Sequence, residues 1–260
     1  MAKRPGGGGH RVYGVHAVRA LLDRRPEAIL DAKLLHGSKA GALPELARAL
    51  HSLHIPTDFV QRAELDRLSD GGTHQGVIVR TRGPQEIAIR DFETLVVDRS
   101  RSLRCLMLDG IQDPRNLGAC LRTADAAGVD ALIVPRRRAA SLTPAALKAA
   151  TGAAETVPLA RVSNLAATLR WLKDAGVWIV GADADTPRTV YEARLETPIV
   201  VVVGGEGRGL RRLTRELCDE IVSIPMQGTV ESLNVAVAAG VLLFELQRQI
   251  TARAPARRRD

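Results

Sequence analysis

Residues 199–203 read Ile-Val-Val-Val-Val, and the run stops at Gly204-Gly205-Glu206-Gly207-Arg208-Gly209. A short β-branched run without a polar face predicts a strand buried on both sides, the kind found in the middle of a parallel sheet. Glycines at the end of such a strand let main-chain groups approach a ligand closely. A short helix over 210–217 and a second strand over 220–224 should follow, ending at Pro225-Met226-Gln227-Gly228. Ser232-Leu233-Asn234 then opens a long apolar helix to about Gln249, with Ser232 as the expected N-cap. Two strand ends and one helix start should therefore meet, and the carboxyl edge of a parallel sheet is where small ligands bind. An ordinary strand-to-helix turn would read the same way locally. The spacing over 205–209 is G-x-G-x-G, and too little chain follows it to build a nucleotide-binding Rossmann sheet.

Upstream, strands and helices alternate. Strands are predicted at 105–108, 131–134, near 157 and at 177–182. The helices fall at 117–127 (stopped by Gly128), 141–150 and 164–174, the last capped by Asn164. The pattern predicts an α/β domain over 103–250, with a mostly parallel sheet covered by helices on both faces. Residues 11–82 read as a separate small α/β unit. Its helices are expected at 17–23, 43–53 and 63–69, its strands at 29–35, 58–61 and 77–80, and a Gly71–Gly76 loop precedes the last strand. Residues 83–102, with a short helix at 91–97, read as a linker; 1–10 and 251–260 read as disordered basic tails.

Composition narrows the partner. The formal charge is +8, and only five of the 37 basic residues are lysine. Excess arginine favours a polyanion, most simply RNA. Aromatics are 3%, too few for a base-stacking platform. No apolar run reaches membrane-helix length, and the first ten residues lack the apolar segment of a secretory signal. Cys105, Cys120 and Cys218 show no metal-binding spacing, so the reading is of buried thiols in a cytoplasmic protein without a metal.

The residues that could carry chemistry lie at predicted strand ends. Asp113-Pro114-Arg115-Asn116 precedes a helix that carries Arg122. Asn116 could simply cap that helix and Arg122 could simply be a surface residue. Arg136-Arg137-Arg138 follows another strand and suits phosphate contact.

The stretches LDGIQDPRNLGACLRTADAAGVDALIVP, GGEGRGL and SIPMQGTVESLNVAVAAG resemble, in order, the three motifs of the SpoU family of RNA ribose 2′-O-methyltransferases. The resemblance implies a trefoil knot in the C-terminal domain, which the element pattern alone does not give, and S-adenosylmethionine as methyl donor. It implies catalytic roles for Asn116, Arg122, Glu206, Ser232 and Asn234. It also implies cofactor contacts at Gly204, Ile224, Met226, Gly228 and Leu233, largely through main chain, and a homodimer whose active sites take residues from both subunits. YGVHAVRALL and THQGVIV are similar to the ribosomal-protein-like substrate-binding domain of the family's ribosomal-RNA branch. That implies His74 as an RNA or interdomain contact and, as substrate, a guanosine of 23S rRNA in the peptidyl-transferase loop. A transfer-RNA methyltransferase and a non-catalytic RNA-binding ribosome-assembly protein are the alternatives.

Overall fold

The computed structural model describes residues 10–37, 41–205 and 209–253. They form two compact units. One comprises the chain through Gln85 plus the excursion Thr151–Thr156; the other comprises Glu86–Ala150 and the chain from Val157 on.

The first unit runs β1 (His10–Tyr13), α1 (Val15–Arg24), β2 (Ile29–Leu35), α2 (Ala42–Ser52), β3 (Thr57–Val60), α3 (Arg62–Leu68) and β4 (Val77–Thr81). Its sheet is ordered β1-β4-β2-β3, antiparallel except for the β2–β3 pair. Val12, Ala32, Leu34, Val77 and Val79 pack with Val18, Leu21 and Leu22 of α1 and Leu46 and Leu50 of α2. Strand β1 was not expected: four residues are too short to show alternation, and only pairing with β4 makes them a strand. The excursion is tied in by Gln85 N–H donating to the Ala154 carbonyl at 3.0 Å. Arg25 Nη1 donates to the carbonyls of Gly83 and Glu155 and lies 3.6 Å from Glu155 Oε2. Burial pushes the Glu155 carboxyl above its ordinary range, against the opposing hydrogen bond from Thr81 and the charges of Arg25 and His10.

The second unit runs β5 (Glu86–Ile87), α4 (Ile89–Asp98), β6 (Arg104–Asp109), α5 (Pro114–Ala126), β7 (Ala131–Pro135) and α6 (Pro144–Ala150). After α7 (Ala153–Thr156, in the excursion) it continues with β8 (Leu159–Val162), α8 (Leu165–Asp174), β9 (Trp178–Ala182), β10 (Ile199–Gly204), α9 (Arg212–Leu217), β11 (Glu220–Val222) and α10 (Val235–Arg253). The sheet is ordered β11-β9-β10-β6-β7-β8-β5, and every pairing is parallel. Successive strand residues face opposite sides. Cys105, Met107, Val200 and Val202 join Phe92 and Val96 of α4 and Leu169 and Leu172 of α8 in one core. Leu106, Leu108, Val201 and Val203 alternate with them and are equally buried, and α10 packs on β10 and on α5. The predicted buried strand is thus central, with both faces covered.

Several expectations change in detail. The stretch read as a linker is built into this unit: β5 pairs with β8, and Phe92 and Val96 are buried. The strand expected near Val157 begins at Leu159. Cys105 and Cys120 are buried but Cys218 only partly so. Burial pushes the Cys120 and Cys218 thiols up to about 12, which leaves both protonated at neutral pH.

Candidate active site

Strand order reverses between β6 and β10. From β6 the chain steps outward to β7 and β8, then crosses to β9 and back inward to β10. A crevice opens beyond the carboxyl ends of strands at such a point. A cavity of about 590 Å³ lies there, lined by Asp109, Gly110, Ile111 and Gln112 after β6, Gly205, Gly209, Arg211 and Arg212 after β10, and Val235 at the start of α10. The end of β11 is one strand removed, because β9 lies between it and β10.

The described glycines of this loop pack on one another's backbone. A Cβ on Gly204 would stand 2.1 Å from the Gly209 carbonyl carbon, and Gly205 bridges Gly209. The room that glycine makes at 204 is therefore filled by protein. On the β6 side, Arg211 N–H donates to Asp109 Oδ2 at 3.1 Å. On the β9 side, Arg215 pairs with Asp183 at 2.9 Å and donates to the Asp185 carbonyl at 2.7 Å. Glu206 lies outside the described residues.

Helix α5 begins earlier than the sequence suggested. Pro114 takes its first position, and the cap is Asp113, whose Oδ1 accepts Arg115 N–H at 2.8 Å. Asn116 is thereby released from capping. Its Oδ1 accepts Asn234 Nδ2–H at 3.0 Å, so the first and third motifs meet side chain to side chain. Asn234 Oδ1 accepts Ala236 N–H at 2.9 Å, making Asn234, not Ser232, the cap of α10. Ser232 is exposed in the loop before it. Arg122 is exposed on α5. At 3.6 residues per turn, six residues of separation put Arg122 roughly 120° around the helix from Asn116.

Ile224, Met226, Gly228 and Leu233 lie on the segment between β11 and α10 and do not line the cavity. Residues 224–233 make no hydrogen bond with another described residue. No described residue stands within 4 Å of where a Cβ on Gly228 would project. Arg136, Arg137 and Arg138 are exposed after β7, on the same sheet edge as the cavity. His74, in the first unit, is 5% exposed. Its Nδ1 accepts Gly76 N–H at 3.0 Å, so Nε2 carries the proton and donates to Asp66 at 2.9 Å. With both ring nitrogens occupied, it clamps its own loop. Sequence reasoning missed Asp109 and Arg211; the one available signal was an aspartate ending an apolar strand immediately before glycine.

Two families match the chain in sequence: the RNA 2′-O ribose methyltransferase substrate binding family over residues 11–87 and the SpoU rRNA Methylase family over 104–244. The 23S rRNA (guanosine-2′-O-)-methyltransferase RlmB of Haemophilus influenzae is 48% identical over 240 residues, covering 92% of this chain and 97% of that protein. The Escherichia coli K12 protein of the same name is 48% identical over 238 residues, covering 92% and 98%. Among solved structures, the SpoU methyltransferase AviRb from Streptomyces viridochromogenes in complex with AdoMet superposes with a TM-score of 0.66 at 24% identity, covering 94% of this chain and 91% of that one. The fold is thus the one the motifs implied. With both matching regions in place and the first and third motifs meeting at the edge of the sheet, the chain belongs to the SpoU rRNA methylase family.

Proposed function

We propose that the chain transfers a methyl group from S-adenosylmethionine to the ribose 2′-hydroxyl of a guanosine in 23S rRNA, in the cytoplasm, as a homodimer. Similarity to enzymes named for that reaction, at 48% identity along nearly the whole of both chains, carries the reading. The peptidyl-transferase loop is the proposed location of the target nucleotide.

The residues present fit the cofactor. The main chain of 224–233 makes no hydrogen bond to another described residue and so offers donors and acceptors for adenine and ribose, no described residue crowds Gly228, and Gly204 sits against the backbone of Gly209. When bound, S-adenosylmethionine supplies an electrophilic methyl on a sulfonium. The chain's own task is to hold the ribose oxygen in line with that carbon, exclude water and manage the hydroxyl proton. In this reading Asn116 and Asn234, already joined at 3.0 Å, orient the ribose, while Ser232 and Glu206 take the further catalytic roles that the family motifs imply. Arg122 stabilises the developing alkoxide by charge and hydrogen bonds; a guanidinium keeps its proton at ordinary pH and is a poor base. Arg136, Arg137 and Arg138 take phosphates of the same RNA. In the first unit the RNA contact falls to the surface of the His74 loop, since the imidazole is engaged within it.

Two observations support the dimer. Arg122 lies roughly 120° around α5 from Asn116, and α10 leaves Val237 and Phe244, seven residues apart on one face, each 52% exposed. A partner chain covering that seam would bring its own Arg122 to the site. The test combines substrate mapping with subunit mixing. The purified protein should methylate one guanosine of unmodified 23S rRNA; methylation of transfer RNA instead would favour the alternative reading. Arg122→Ala and Asn116→Ala proteins, each nearly inactive, should regain activity when refolded together, because a mixed dimer carries one intact site. No recovery in a proven mixed dimer would show that each chain builds its site alone.

A further inference from the structure

The cavity at the strand reversal holds a charged pair that the three motif roles leave unused. The Asp109 side chain has 0% exposure, whereas that of Arg211 is 53% exposed and lines the cavity. Asp109 Oδ2 accepts the Arg211 main-chain N–H. Its Oδ1 lies 3.4 Å from Arg211 Nε, outside hydrogen-bond geometry, and is buried with no other partner among the described residues. Gly110, at φ +103°, has no side chain to compete for this space: a Cβ there would stand 3.5 Å from Arg211 Nη2. Neither Nη group of Arg211 has an acceptor among the described residues.

A guanidinium held on its Nε side by a buried carboxylate presents its two Nη groups as a fork, the arrangement that matches a phosphate. The described lining offers no aromatic ring on which a base could stack. Arg212, the other cation there, is paired with Glu216 at 2.6 Å. We propose that Arg211 binds a phosphodiester of the RNA strand that carries the target ribose, with Asp109 as the residue that positions it. The inference rests on the reading of the chain as an RNA 2′-O-methyltransferase. Arg211 then has two separable functions: its main-chain N–H ties the glycine loop to β6, and its side chain serves the substrate. Arg211→Ala preserves the first and removes the second. Asp109→Asn preserves an acceptor for the N–H and removes the charge that aims the guanidinium.

The experiment compares full-length wild type, Arg211→Ala, Arg211→Lys and Asp109→Asn. It measures cofactor affinity by calorimetry, thermal melting, steady-state transfer to a 23S rRNA fragment at saturating S-adenosylmethionine, and affinity for that fragment across a salt series. Arg211→Ala should keep wild-type cofactor affinity and melting while KM for RNA rises about tenfold to a hundredfold at nearly constant kcat. Its slope of log affinity against log salt should become shallower by about 0.7 to 0.9, the loss of one phosphate contact. Arg211→Lys should recover the slope but only part of the KM, and Asp109→Asn should fall between alanine and wild type. Wild-type KM and slope in Arg211→Ala would overturn the inference, as would a KM rise matched by lost cofactor affinity, which marks a structural role. A wild-type protein with no transfer to the fragment would overturn the functional reading and this inference with it. Wild-type transfer undiminished in Arg211→Ala overturns the inference alone.

Discussion

Two loops leave the same edge of the sheet and are held in opposite ways. The described part of the β10–α9 loop and the helix after it are tied to the strand ends on both sides, by Asp109 to Arg211 and by Asp183 to Arg215, and Gly205 pairs with Gly209. The β11–α10 loop carries the proposed cofactor contacts Ile224, Met226, Gly228 and Leu233, yet residues 224–233 make no hydrogen bond to another described residue before Asn234 caps α10. On the proposed assignment of cofactor contacts, the described residues of the first loop are bonded within the protein before the cofactor arrives, whereas ordering of the second would take a share of cofactor affinity.

Asn234 ends the second of these loops and joins it to Asn116 of α5, and breaking it should have the largest effect. Asn234→Ala removes the bond to Asn116 and the α10 cap together. Single-turnover methyl transfer is expected to fall on the order of a hundredfold to a thousandfold, as for loss of an oriented polar group at a reacting centre. The lost cap should cost about 1 kcal/mol of stability in denaturant unfolding. Near-normal transfer with only the stability loss would reduce Asn234 to a cap.

Substituting a glycine in each loop probes the contrast directly. Gly204→Val meets protein backbone at 2.1 Å, so it should lower the melting temperature and abolish cofactor binding together. Gly228→Val meets no described residue within 4 Å and should melt like wild type, while calorimetry should show cofactor affinity reduced by at least about tenfold. Unchanged affinity in Gly228→Val would remove Gly228 from the cofactor site. A smaller effect is expected in hydrogen exchange. S-adenosylmethionine should slow the amides of 224–233 severalfold and leave Arg211, already bonded to Asp109, nearly unchanged. Equal protection in both loops would erase the distinction.

The smallest effect belongs to the first unit. The Glu155 carboxyl is held above its ordinary value of 4.5 by burial, so the folded state binds a proton more tightly than the unfolded state does. Its favourable contribution is present below that ordinary value and is lost as pH rises through the raised folded value. Glu155→Gln should flatten the decline in stability on the alkaline side of 4.5, read by denaturant unfolding across a pH series. An identical pH profile in wild type and variant would show that Arg25 compensates the buried charge in full.

What could be read in advance follows from where information sits along the chain. The run 199–203 announced a central buried strand because its pattern is local, and the Asn164 cap is a local side-chain-to-backbone bond for the same reason. Asn116 and Asn234 could be named only by resemblance to a family, because nothing local separates an asparagine that caps from one that bonds across 118 positions. Asp109 and Arg211 depend on β6 and β10 being neighbours, a fact of topology. For His74 the resemblance implied an RNA or interdomain contact, and only the fold shows that the ring itself is buried and bonded to Asp66 and Gly76.

The excursion Thr151–Thr156 bears on how the molecule is made. The chain passes between the two units after Gln85, after Ala150 and again after Thr156. A polypeptide emerging from the ribosome would therefore display β1 to β4 long before Ala153, Ala154 and Glu155 arrive to complete that unit's packing. Domains tend to fold in order as they are synthesised; here the N-terminal one must wait for β6, β7 and the helices between them to be translated. Separating the units by cutting at residue 86 would strand the excursion, with its buried alanines and its carboxylate exposed to water. A gene that lost its first third would therefore also lose the partner of a segment in its second.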